Sequence, residues 1–243
     1  MATLTDEQVE QFRTQGYVLP DGPLLSPERF DRLRDIFEED LARYGEDDLD
    51  VMHDRDPRLL DFLLGDEVLD LVEPLIGPDI GLWSSHFISK PPRTGRSTPW
   101  HEDASYWDGR MDNWDRVLTV WLAIDAVDTS NGCMRVIPGS HLLPPATYEK
   151  VRDPSTTIFG SKIVDDGVDE SRAVDFVLEP NHCSIHDARM VHGAEANTSD
   201  RRRAGYTMRY FPTSNRVIPE RNIGHPLWLA RGRDRAGNTY RSA

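Results

Sequence analysis

The chain has 243 residues, 38% hydrophobic and 29% charged, a globular composition long enough to bury a sizeable core. Its 42 acidic residues outnumber 28 basic ones, and the formal charge of −14 opposes non-specific binding to nucleic acid and to anionic membranes. Two cysteines, Cys133 and Cys183, exclude a disulfide scaffold, residues 1–11 lack the basic and apolar regions of a signal peptide, and no apolar run approaches the ~20 residues of a membrane span. The expectation is a cytoplasmic protein with reduced thiols.

Thr5 followed three residues later by Gln8 predicts a capped helix that carries Val9 and Phe12 inward and stops near Gly16. Tyr17-Val18-Leu19 then reads as a short strand. Ser26-Pro27-Glu28 starts a second helix, with Phe30, Leu33, Ile36, Phe37 and Leu41 at helical spacing. Residues 57–76 form a third helical stretch, which Gly65 and Pro74 interrupt and Gly77-Pro78 ends. The acidic runs Glu38-Glu39-Asp40 and Glu46-Asp47-Asp48 read as a solvated helix face and a loop.

From residue 79 the texture changes to short β-like runs separated by Gly, Pro, Asn and Asp: 80–90, 116–124, 133–137, 173–176, 183–186 and 203–211. The stretch 140–164 reads as a polar, proline-marked connection. The last 30 residues read as an extended tail wrapped over the body. Helices first and many short strands afterwards predict a helical layer packed on a β-sandwich or barrel. The division expected is one domain: 1–78 a largely helical flank, 79–211 a β core, 212–243 a tail.

Against this background four residues stand out: His101, Asp103, His192 and Arg203. Two histidines and a carboxylate are the donor set of a non-haem Fe(II) site, and an arginine can fork a carboxylate. A His-x-Asp triplet is cheap in a chain with eight histidines and 42 acidic residues. In an extended segment, however, 101 and 103 point the same way and Glu102 faces away. His182 and His186 rival His192. Ala196–Asp200 is a strong turn cluster, and a hairpin centred between Asn197 and Thr198 sets 192 opposite 203, roughly 5 Å apart. Against that, Arg201-Arg202-Arg203 also reads as a solvated basic turn. Trp83, Tyr106, Trp107, Arg189 and Arg209 are candidates for contact with a substrate; their plainer reading is core for the aromatics and surface ion pairs for the arginines.

The chain resembles the phytanoyl-CoA dioxygenase family of Fe(II)/2-oxoglutarate oxygenases over nearly its whole length. The resemblance runs through residues 4–12, Gly16-Tyr17-Val18, Ser89-Lys90-Pro91-Pro92, Trp100-His101-Glu102-Asp103, residues 120–125 with 131–141, His192-Gly193-Ala194, Asn197-Thr198-Ser199 and Arg203. It implies a double-stranded β-helix (a cupin-like jelly roll), mainly β with flanking helices. It implies His101, Asp103 and His192 as metal ligands and catalytic centre. Arg203 is implied as the 2-oxoglutarate clamp, with His86 and Trp121 as further co-substrate contacts. Ala194 stands where some relatives carry a hydroxyl. The cofactors implied are Fe(II), 2-oxoglutarate and O2, with ascorbate as reductant in assays.

The reaction implied is hydroxylation of a small, secondary-metabolite-type substrate with release of succinate and CO2. Related halogenases replace the carboxylate ligand with Gly or Ala, so Asp103 favours hydroxylation; desaturation and ring formation stay open. Of the competing readings, a metal-binding cupin-like isomerase has no need of Arg203, and a non-catalytic module has no need of the three ligands and the arginine together.

Overall fold

The computed structural model of the protein describes residues 2–153, 155–164 and 167–241. The N-terminal third is helical. Helix α1 (Asp6–Gln15) begins with the predicted capping box, in which Thr5 accepts from the Gln8 amide and the Gln8 side chain reaches back to Thr5. It ends at Gly16, whose φ of 82° is a left-handed conformation that suits glycine. Helix α2 (Pro27–Tyr44) is capped by Ser26 and buries Phe30, Leu33, Ile36 and Phe37. The stretch 57–76 breaks at Gly65, as its sequence suggests. After the single turns α3 (Met52–Arg55) and α4 (Leu60–Leu63), α5 (Asp66–Ile76) restarts with Gly65 as its N-cap and carries Pro74 inside. Among the described residues no helix is long and apolar enough to cross a membrane.

Two facing antiparallel sheets form the jelly roll. The larger runs in the order β1-β9-β4-β11-β2-β12. Its strands are β1 (Tyr17–Val18), β2 (Ile80–Lys90), β4 (Leu118–Ala123), β9 (Cys183–Asp187), β11 (Arg203–Pro212) and β12 (Trp228–Arg231). The smaller runs β3-β10-β5-β8, from β3 (Thr98–His101), β5 (Met134–Val136), β8 (Val174–Asp175) and β10 (His192–Ala194).

Three outcomes differ from the sequence expectation. The segment 140–164 is not only connection: β6 (Tyr148–Lys150) and β7 (Ser161–Ile163) pair in it as a ribbon. The tail is not merely draped, because β12 pairs along β2 as an edge strand of the large sheet. Most consequential, no hairpin sets His192 opposite Arg203. His192 pairs with His101 on one side and Val136 on the other, whereas Arg203 pairs with Lys90 in the other sheet. The turn cluster 196–200 carries the chain from one sheet to the other.

Period-two alternation on the large sheet divides two cores. Val120, Leu122, Tyr206, Met208 and Tyr210 face outward and pack with α2 and α5 in the main apolar cluster. Trp121 and Ala123 face between the sheets, against Met134, Val136 and Phe176. The buried hydroxyls on the helical side are met: Tyr210 donates to the Leu63 carbonyl and Tyr206 to Ser85. Both cysteines are free and buried. Burial pushes the Cys133 thiol up to about 11 and Cys183 to about 12.

Candidate active site

β3 delivers His101 and β10 delivers His192 as direct cross-strand partners, with ring centroids 4.0 Å apart. Each Nδ1 lies 2.9 Å from the carbonyl two residues earlier, Pro99 for His101 and Met190 for His192. A carbonyl only accepts, so each Nδ1 carries the proton and each Nε2 presents a lone pair. The chain then turns. Glu102 points away into a buried niche, accepting from the Ala146 amide and the Tyr148 hydroxyl. Asp103 opens the short helix α6 (Asp103–Tyr106) and aims back at the histidines. One donor atom from each of His101, Asp103 and His192 lies within 4.8 Å of the others.

Electrostatics keep Asp103 and His101 deprotonated. Burial pushes the Asp103 carboxyl up, but Arg209 and the neighbouring histidines outweigh it and hold the group well below the usual carboxylate range. Burial, reinforced by His192, takes His101 down to about 3. Metal binding needs both in their deprotonated forms. Two imidazole nitrogens and a carboxylate oxygen facing one point match the donor chemistry of an open-sided Fe(II) centre, so the residues fit that metal. Thr119 donates to Asp103 Oδ2 at 3.1 Å and Arg209 Nε lies 3.5 Å from the same oxygen, which leaves Oδ1 toward the histidines.

Across the cavity, on the other sheet, lies Arg203. It is 3% exposed, its guanidinium stacks 4.6 Å over the Trp121 ring, and its Nε is buried without a partner. Among the described residues no carboxylate pairs with it. Burial lowers it only to about 10, so it is charged at neutral pH. Its strand partner Lys90 is also buried and points at main chain, donating to the Glu195 carbonyl at 2.6 Å and the Ala194 carbonyl at 3.4 Å. Burial and the adjacent Arg203 bring Lys90 down to about 6. A buried cation without a counter-charge is costly, and the distal carboxylate of 2-oxoglutarate is a fitting partner for it.

The cavity holding these groups measures about 780 Å³. His86, Trp121, Trp83, Tyr106, Trp107 and Arg209 all line it. His86 stands beside Thr207 with its Nδ1 3.6 Å from Asp50, and burial takes it down to about 4. Arg189 is placed elsewhere: it pairs with Asp187 at 3.0 Å and Asp115 at 2.8 Å and does not line the cavity. Its aspartates satisfy it outside, which corrects its selection as a substrate contact. His182 is likewise outside, its Nδ1 near the Pro180 carbonyl.

Sequence reasoning passed over four cavity residues. His186, weighed only as a rival ligand, sits beside the set, with Nε2 4.0 Å from Asp103 and its ring 4.8 Å from that of His192. Thr119 and Lys90 are inward-facing polar residues, Thr119 on an otherwise apolar strand and Lys90 at the end of β2, and period-two alternation was the available signal. Phe159, 4.9 Å from the His101 ring and 4.7 Å from Tyr106, lies in a segment read as a plain connection and carried no signal.

The pattern describing Phytanoyl-CoA dioxygenase (PhyH) matches residues 12–205. The Phytanoyl-CoA dioxygenase domain-containing protein 1 homolog of Caenorhabditis elegans is 26% identical over 225 residues, 90% of this chain and 72% of that protein. The peroxisomal phytanoyl-CoA dioxygenase of Mus musculus is 30% identical over 147 residues, and the match spans 58% of this chain but only 42% of that enzyme. Among solved structures, the non-heme monooxygenase ThoJ in its apo form superposes with a TM-score of 0.73 at 28% identity, covering 93% of this chain and 84% of that one. SnoK, a non-heme alpha ketoglutarate dependent carbocyclase from nogalamycin biosynthesis, does so with a TM-score of 0.72 at 26% identity, covering 89% and 87%. The chain belongs to the phytanoyl-CoA dioxygenase family of Fe(II)/2-oxoglutarate-dependent oxygenases and is a dioxygenase-type oxidoreductase.

Proposed function

We propose that this protein hydroxylates a small, secondary-metabolite-type molecule while 2-oxoglutarate is converted to succinate and CO2. One observation carries the reading: a buried arginine without a counter-charge and a two-histidine, one-carboxylate set share a single cavity. When bound, iron with 2-oxoglutarate and O2 supplies the oxidising chemistry. His101 and His192 would present Nε2 because their Nδ1 protons are held by backbone carbonyls. Asp103 would stay ionised through its surroundings, with Thr119 and Arg209 fixing its outer oxygen. Arg203 would hold the far carboxylate of the co-substrate, with Trp121 as its floor and His86 along its side. Tyr106 and Phe159 would wall the metal from water on the His101 side.

The carboxylate at position 103 supports hydroxylation over halogenation. Desaturation or ring formation uses the same ligands, and the likeness to a carbocyclase keeps that outcome as the second reading. The test is succinate formation from 2-oxoglutarate with Fe(II) and ascorbate across a panel of small molecules, with mass analysis of the product. Asp103→Ala should abolish turnover. Arg203→Ala should raise the 2-oxoglutarate requirement on the order of 100-fold, the loss of a buried charge-assisted pair. An unchanged requirement in Arg203→Ala, or no succinate from the wild type with any compound, would sink the reading.

A further inference from the structure

Strand β11 carries a second inward-facing arginine. Period-two alternation puts 203, 205, 207 and 209 on the cavity face, and six residues advance roughly 20 Å along a strand. Arg209 therefore lies well beyond Arg203, at the other end of the cavity. Its guanidinium rests 5.2 Å from the Trp107 centroid, its Nε is buried without a hydrogen bond, and among the described residues its other polar contact besides Asp103 is Ser84 at 3.5 Å. The carboxylate nearest it belongs to the metal donor set. Half-buried Arg110 reaches the same end from a different element. It lies 4.7 Å over Trp83 and gives its Nε to Asn222 at 2.8 Å, and it has no ion-pair partner among the described residues.

This is out of character for the chain. The chain has 42 acidic residues against 28 basic ones, and many of its arginines are paired with several of them. Arg231 meets Asp66, Asp70 and Glu73; Arg135 meets Glu170, Asp175 and Glu195. Arg110 and Arg209 instead lay their flat faces on a cluster of tryptophans, with Trp83 to Trp107 at 6.2 Å and Trp107 to Trp114 at 5.4 Å. A guanidinium stacked on an aromatic face keeps its N–H edge free to fork a carboxylate.

We propose that the prime substrate carries a carboxylate, bound between Arg110 and Arg209, with its apolar body against the part-buried Trp107. This rests on the oxygenase reading above and adds the chemical class of its substrate. A monoanion suits the site better than a phosphate ester, because the cavity rim carries Glu46 and Asp50, the latter 65% exposed. Those acids repel a dianion more strongly.

The experiment uses the full chain with 2-oxoglutarate and Zn(II) present, so that Arg203 and the ligand set are occupied. A diverse library of small aromatic and alicyclic carboxylic acids is screened by thermal shift, each acid beside its primary amide and its phosphate-bearing analogue. Acids that stabilise the protein should bind on the order of 10- to 100-fold more tightly than their amides by calorimetry. That preference should collapse in Arg110→Gln and in Arg209→Gln, and circular dichroism should show both variants folded. Three results overturn the proposal: no acid outperforming its amide, a preference surviving in the double variant, or phosphate analogues binding best. A fourth is Arg209→Gln weakening 2-oxoglutarate with no acid present while Zn(II) affinity stays unchanged, which would assign Arg209 to the co-substrate. The shift produced by 2-oxoglutarate alone is read first, and its absence counts against the oxygenase reading separately.

Discussion

At the scale of single residues, Gly205 has the tightest constraint in the site. A Cβ there would fall 2.1 Å from Cζ2 of Trp121. Gly205→Ala must push the indole off Arg203, losing the stacking and overpacking the sheet interior. The expected cost is roughly 1–3 kcal/mol of stability and about 10-fold in 2-oxoglutarate affinity, read by denaturant melts and by the KM for succinate formation. The same scale shows what a sequence can reveal about a site. His101, Asp103, His192 and Arg203 stand out because their side chains have few other uses in that spacing. Thr119 and Lys90 act through position: a threonine or lysine in an apolar strand is ordinary until the fold says which face it takes. Phe159 reaches His101 only because a polar ribbon folds back, and nothing local announces that.

At the scale of elements, most strands were legible, the short β1, β5, β8 and β9 included, whereas β3, β6, β7, β10 and β12 were not. β2 matches its predicted run, and β4 and β11 lie within a residue or two of theirs, since each has enough alternation to show a buried face. β3 and β10 have four and three residues, too few to show a period, yet they carry the histidines. The turn at 196–200 was recognised but its consequence was misjudged. Turn chemistry dictates that the chain reverses, not which strand receives it. Asn197 explains this crossing. Fully buried, its Nδ2 donates to the carbonyls of Lys90, Pro91 and Arg201, and its Oδ1 accepts from Ser199. Asn197→Ala should cost roughly 2–3 kcal/mol by stranding those buried acceptors. It should also raise the 2-oxoglutarate KM, because Arg203 leaves the same loop. A stability change without a KM change would separate the loop from the clamp.

At the scale of the whole molecule, buried histidines set the response to acid. His53 is 1% exposed, hydrogen-bonded to Ser85 at 2.6 Å and edge-on to Trp228. Burial, then the neighbouring His225, lowers it to about 4. In the unfolded chain it takes a proton near pH 6.5, in the folded one only near pH 4. Above pH 6.5 both states are neutral and nothing is lost; as pH falls from 6.5 to 4 the unfolded state is favoured, by ~3 kcal/mol in all for this one group. His225 is shifted the same way by burial, to about 4. Tm should therefore fall through that window, and His53→Gln should flatten the fall. An identical pH slope in that variant would contradict the assignment.

The placement of His101 and His192 on one sheet and Arg203 on the other has a mechanical consequence. A diacid joining the metal to Arg203 would act as a rivet through the seam between the two walls. Without it, packed side chains, Lys90's bonds to the β10 end, the Asn197 bonds to Lys90 and Pro91, and the contacts of Thr119 and Arg209 with Asp103 hold that seam. Metal and 2-oxoglutarate together should then slow amide hydrogen exchange in β3 and β10 as well as in β11, while either alone grips a single wall.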